Sequence, residues 1–360
     1  MTIADILKQR LKNQWLVESP AQSPSDVVRQ LLAVQAQDYL GSMWAIGQRL
    51  PGSDETIVER SIANGSLIRT WPMRGTLHLV AAEDARWLCD FLAARVLPKT
   101  RSVYQKAGLD SSVFKKSERL IIKALEKEPV LTRDEMYERL EKGGIATGNS
   151  RGLHITGYMA ITGRICLGPR KGKQHTIVLR DEWLRTAKEF QPDDIQQTLA
   201  ERYFAGHGPA TVQDFAWWSG LTLTEARQAI DKASSALRTI KVKDITYYET
   251  SDADSKKTTK FNVTHLLPAY DEFTVAYKDR TLLLPQNQRD RSSMEVLSPV
   301  MSVNGALMGT WSRSLVKSRI NFQLKPFGTI TAAQRTKINA QIKKYAAFVG
   351  VHNSTIEVLS

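Results

Sequence analysis

Leu32-Ala33-Val34-Gln35-Ala36-Gln37-Asp38 sets two glutamines one residue apart at the end of an apolar run. A carboxamide is not an effective base near neutral pH. Its carbonyl oxygen, however, accepts a hydrogen bond from water and points a negative dipole at a developing cation. Two such groups serve one site only if the backbone lets them. In a helix, residues i and i+2 point about 200° apart, whereas in an extended segment they share a face. A helix is expected to start at Ser23, with Pro24 at its first position and Asp26 reaching back to the cap. Val27, Val28, Leu31 and Leu32 line its apolar face, and Gln35 continues that face. The backbone is expected to change near Ala36, so that both amides look into one cleft, and Ser42 reads as the cap of the next helix. The spacing alone also fits a structural role, in which the glutamines cap the helix end and bridge two helices.

Other residues carry chemistry too. Asp271 and Glu272 are adjacent carboxylates after an apolar strand, a type that activates water; as neighbours on a strand they face opposite ways, which also suits a structural turn or an ion pair. His78 follows a turn with Arg74 at its tip. His78 reads as a site neighbour or a core histidine, and Arg74 as a groove or phosphate contact. Arg170, Lys171 and Lys173 flank glycines on a hairpin, where they suit phosphate contact or minor-groove insertion, or simply a solvated loop. Trp217-Trp218 reads as core. No metal-ligand spacing, phosphate-cradling loop or activated nucleophile is evident, so no cofactor and no metal are expected.

The 360 residues carry 50 Lys+Arg against 37 Asp+Glu, a net charge of +13 and a pI near 9.6. That balance favours polyanions, nucleic acid above all. From residue 313 onward, eight lysines and arginines stand against Glu357 alone. A hydrophobic content of 42% and a mean hydropathy of −0.31 describe a soluble globular chain. No apolar run reaches the roughly 20 residues that span a bilayer, and the N-terminus lacks signal-peptide character. A cytoplasmic, nucleoid-associated monomer is expected. Cys89 and Cys166 read as small buried hydrophobes.

The elements that must position these residues repeat. Three helices (24–37, 42–50, 55–63) precede two strands (67–71, 76–80) joined by Pro72-Met73-Arg74-Gly75, the order of a winged helix-turn-helix. Helices over 113–127, 131–142 and 152–161 lead to strands 164–167 and 176–179, with 168–175 as a basic wing. A third copy runs through helices 194–204, 211–218 and 222–236 into strand material at 237–248. The polar run 251–257 reads as a loop open to cleavage. Strands are expected at 263–267, 273–277, 281–284, 300–303, 306–312 and 319–324, with Asn304-Gly305 as a hairpin turn, followed by a helix over 331–349 and a last strand. The fold class is therefore α+β: three tandem winged helix-turn-helix units (1–106, 107–190, 191–250) and a β-rich, barrel-like domain (251–360).

Gln35-Ala36-Gln37, Trp71-Pro72-Met73-Arg74-Gly75-Thr76-Leu77-His78, His207-Gly208-Pro209-Ala210-Thr211, Asp214 through Leu221, Leu267-Pro268-Ala269-Tyr270-Asp271-Glu272-Phe273 and Gly309-Thr310-Trp311 occur in this order over nearly the whole chain. Together they resemble the tandem winged-helix DNA glycosylases of the AlkZ/YcaQ superfamily. Glutamine at 37 is similar to the QΦQ motif of the AlkZ branch, with Φ aliphatic. The resemblance implies excision of N-alkylated purines from double-stranded DNA, including unhooking of interstrand crosslinks, with Gln35 and Gln37 catalytic. Two alternatives stand beside it: a non-catalytic winged-helix DNA-binding protein or transcriptional regulator, and a hydrolase centred on Asp271.

Overall fold

Helix starts are where side chains dictate the fold most directly. Ser23, Thr132, Thr211 and Thr222 each accept the N–H of the residue three positions on, while an acidic residue there returns a bond to the cap backbone. These reciprocal pairs open the helices Pro24–Leu31, Arg133–Lys142, Val212–Ser219 and Leu223–Lys232. Each satisfies amides that no helical carbonyl can reach. The computed structural model describes residues 1–252, 262–316 and 318–359; of the polar run 251–257, the part from 253 on lies outside them. Along the chain, the order helix, helix, helix, hairpin recurs. It is seen in Pro24–Leu31, Tyr39–Gly47, Glu55–Ala63 and the strands Leu67–Met73 and Thr76–Ala81. It returns in Ser111–Lys127, Arg133–Lys142, Arg151–Ile161, Ile165–Lys171 and Gln174–Leu179, and again from Ile195–His207 to the strands Leu237–Val242 and Ile245–Thr250.

The chain packs as two units, Met1–Val58 with Gln196–Ser360, and Glu59–Ile195. In the second, the strands lie in the order Thr76–Ala81, Leu67–Met73, Ile165–Lys171, Gln174–Leu179 and Leu131–Thr132. The two hairpins meet where Arg69 pairs with Leu167. Ile121, Leu125, Met136, Leu140, Ile155 and Met159 form a core beneath them. Residues 168–175 are not the open loop expected from their glycines and charges: the strands extend to Lys171 and restart at Gln174, so the turn is Gly172-Lys173 alone. Cys89 and Cys166 are free and buried, as expected.

In the first unit, a five-stranded sheet runs Asn353–Val358, Arg319–Pro326, Ala306–Val316, Val300–Val303 and Thr264–Leu267. Its outer strands pair on one side only among the described residues, so the sheet is open and not the barrel that was expected. Asn304 and Gly305 both have positive φ, as a two-residue hairpin turn requires. Residues 272–275 and 281–283 are short helical turns and not strands. The helix Ala332–Phe348 lies on the sheet through Tyr345, whose ring is 5.5 Å from Trp311 and 5.8 Å from Phe322. The same Tyr345 ring meets Trp44, on the helix that follows the two glutamines, at 5.1 Å. Trp44 in turn donates its indole N–H to the Leu266 carbonyl at 2.6 Å. One aromatic cluster thus fixes that helix to the sheet.

Candidate active site

The helix that opens at Ser23 ends at Leu31, before the glutamines. Leu32 has φ +61° and ψ −39°, a backbone conformation costly for a residue with a Cβ, and the chain leaves the helix there. Gln35 is therefore not on the helical face that the apolar spacing suggested. It lies in the extended pair Val34–Gln35. Gln37 follows in the bend before Asp38, which accepts the Gly41 N–H at 3.1 Å and caps the helix Tyr39–Gly47; Ser42 is inside that helix and not its cap. The backbone change thus precedes both glutamines instead of falling between them. Gln35 is 7% exposed and Ala36 fully buried, while Gln37 is exposed.

Two long-range contacts hold this stretch. His207 donates its Nε2–H to the Leu31 carbonyl at 3.1 Å, a tautomer fixed by Gln14, whose side-chain N–H points at Nδ1 from 3.3 Å. Glu272 is fully buried. One of its oxygens accepts the Gln35 backbone N–H at 2.9 Å and the other the Trp218 indole N–H at 3.0 Å. In the sequence Glu272 reads as a water-activating carboxylate, a turn or an ion-pair residue, and His207 carries no role. The available signal was a carboxylate pair inside an apolar stretch: a buried carboxylate must recruit donors. Beside the helix that follows Gln37, a groove of about 350 Å³ is lined by Leu40, Glu55, Arg313, Tyr345 and Phe348 among others.

Asp271 is committed elsewhere. Its carboxylate takes both Arg49 terminal nitrogens at 2.7 and 2.8 Å, and Gln48 at 3.2 Å. Neither charged side chain is exposed. Arg49 also donates to the Gln14 and Ala45 carbonyls and to the Gln14 side chain. Its planar fork is thus spent inside the unit.

The other candidates belong to the Glu59–Ile195 unit. Arg74 and Gly75, at φ +53° and +73°, form the tip of the Leu67–Ala81 hairpin. Arg74 lies 3.4 Å from His78 Nε2. His78 is buried, and its Nδ1 donates to the Thr76 carbonyl at 2.9 Å. Burial, and then the Arg74 guanidinium, push its pKa down to about 3, so the ring is neutral at working pH. Arg170 is paired with Glu59 at 3.1 Å. Lys171 is exposed, 3.7 Å from Glu135, and Lys173 is exposed at the turn. The structure groups Arg74 with His78, and Arg170, Lys171 and Lys173 on one hairpin. His175 on that hairpin has its pKa lowered to about 4, first by burial and then by Arg69 and Arg170.

The family model described as DNA glycosylase AlkZ-like matches residues 28–348. The chain belongs to the AlkZ-like DNA glycosylase family. Among curated proteins it is similar to an interstrand DNA cross-link repair glycosylase of Streptomyces sahachiroi, 26% identical over 320 residues, covering 84% of this chain and 85% of that one. Among solved structures it is similar in fold to the DNA glycosylase AlkZ of the same organism, with a TM-score of 0.81 and 22% identity over 100% of both chains. The family membership makes the chain a DNA glycosylase, and the mixed α+β architecture is that of the solved relative. No helix among the described residues is long and apolar enough to cross a membrane.

Proposed function

We propose that this glycosylase hydrolyses the N-glycosidic bond of N7-alkylated purines in double-stranded DNA, with Gln35 and Gln37 as its catalytic residues. The observation that carries the reading is the departure from helix at Leu32. It delivers both carboxamides in non-helical backbone, one nearly buried and one exposed. An N7-alkylguanine already bears positive charge, so its ring takes the bonding pair of the breaking N9–C1′ bond and leaves neutral, with no general acid. The sugar becomes oxocarbenium-like. Two amide oxygens directed at it stabilise the charge and hold the water that adds to C1′, whose proton passes to solvent. Unmodified purines lack the good leaving group and stay. The product is an abasic site with no covalent enzyme intermediate, hence a monofunctional enzyme.

The curated relative's name extends the reading to unhooking of interstrand crosslinks. In this account the three helix-helix-helix-hairpin segments act as winged helix-turn-helix units within the spans 1–106, 107–190 and 191–250, ahead of the β-rich domain over 251–360. Arg74, Arg170, Lys171 and Lys173 contribute to the DNA interface, whereas His78, fully buried, acts there only by holding Arg74 at 3.4 Å, and a nucleoid-associated monomer suffices. The buried ion pair of Asp271 with Arg49 disfavours the hydrolase centred on that carboxylate. The test is base release by the full chain from duplexes carrying N7-methylguanine, N3-methyladenine or a defined crosslink. Release of the alkylpurines, with no enzyme–DNA adduct trapped by borohydride, is expected. Tight duplex binding without release of any of them would leave a non-catalytic DNA-binding protein.

A further inference from the structure

Glu272 is a buried carboxylate next to the glutamine segment that the proposed chemistry does not use. Each of its oxygens accepts from a donor, one from the Gln35 peptide N–H and the other from the Trp218 indole N–H, and neither nitrogen can accept. A side chain that serves both must present an acceptor in each direction. An ionised carboxylate does so, whereas an isosteric carboxamide sets an NH₂ against a donor at one end. Trp218 cannot turn aside: it is fully buried, with Tyr203 at 5.2 Å and His207 at 5.3 Å. His207 meanwhile holds the Leu31 carbonyl. The stretch from Leu31 to Gln35 is therefore gripped at both ends by residues far away in sequence.

We infer that Glu272 is a positioning residue for Gln35. Its two oxygens tie the Gln35 backbone to the immobile Trp218 indole and so set where the Gln35 carboxamide reaches. This rests on the catalytic reading of Gln35 given above. The test is single-turnover release from a duplex with one N7-methylguanine, comparing the wild-type chain with Glu272→Gln, Trp218→Phe and the double variant. Glu272→Gln is expected to slow release about a hundredfold, the scale of a 1 Å misplacement, with affinity for undamaged duplex unchanged. Trp218→Phe costs less. In the double variant the new NH₂ no longer faces the indole donor, so release recovers about tenfold or more from the Glu272→Gln rate.

A role confined to packing, or to the negative charge alone, predicts a double variant as slow as Glu272→Gln or slower, and that result overturns the inference. Wild-type release by Glu272→Gln, or affinity falling in step with rate, does the same. Should Glu272→Gln show no cooperative melt, Glu272→Asp keeps the charge but is one methylene too short to span both donors. It is expected to slow release about tenfold or more, and wild-type release by it overturns the inference. Gln37→Ala is run alongside. No release by wild type defeats the catalytic reading itself, whereas release lost in Gln37→Ala but untouched by the Glu272 variants defeats this inference alone.

Discussion

His78 sits where a sequence reader looks for an acid or base, yet its surroundings keep the proton off. Its folded pKa is about 3 against roughly 6.5 in an unfolded chain. Between those values the unfolded state binds a proton that the folded state refuses, so stability falls as pH drops from about 6.5 toward 3 and is insensitive to this group above that window. Thermal melts at pH 7 and 4.5 should show a smaller loss of Tm for His78→Gln than for wild type; equal losses would contradict the assignment. Asp271 makes the opposite case, a carboxylate whose charge is required. Removing it by Asp271→Asn leaves the Arg49 guanidinium buried against an amide, which should cost about 3–5 kcal/mol in denaturant unfolding. An unaltered unfolding midpoint would show that the pair contributes nothing. Both residues were legible as chemically notable. The partner of Asp271 was not, because Arg49 and Asp271 meet across more than 200 residues of chain.

Between elements, the contact that sets the glutamine segment is a close approach of backbones. A Cβ at Gly206, on the helix Ile195–His207, would lie 2.4 Å from the Gln30 carbonyl oxygen on the helix Pro24–Leu31. Gly206→Ala must therefore move the helix that leads into Gln35. It should destabilise by about 1–3 kcal/mol and slow base release more than it weakens duplex binding. A variant with wild-type melting and rate would show the approach to be slack. At this scale the sequence was readable wherever a side chain speaks to its own backbone: the reciprocal cap of Ser23 and Asp26 and the Asn304-Gly305 turn are both found in place. It misled where tertiary packing overrides local preference. Nothing about leucine signals the positive φ of Leu32, so the helix seemed to run on to the glutamines. Glu272 reads as part of a strand until the donors of Gln35 and Trp218 are known. The last sheet has barrel-like strand spacing, but spacing does not encode whether its edge strands meet.

Across the whole molecule the net charge of +13 favours attraction to phosphate. Binding to undamaged duplex should therefore weaken steeply between 50 and 200 mM salt, with log K falling by about 0.9 per phosphate contacted for each tenfold rise in salt. If the exposed Lys173 touches one phosphate, Lys173→Gln lowers that slope by about one unit. Arg170→Gln should change it less, because Arg170 already serves Glu59; equal slopes for all three proteins would remove both residues from the interface. On the proposed reading charge supplies the grip, and two neutral amides the cleavage. The most direct measurement is the single-turnover rate of N7-methylguanine release by wild type and by Gln37→Ala, with duplex affinity measured on the same preparations. A loss of about a hundredfold or more in rate with affinity unchanged is expected. Release at the wild-type rate by Gln37→Ala would contradict it.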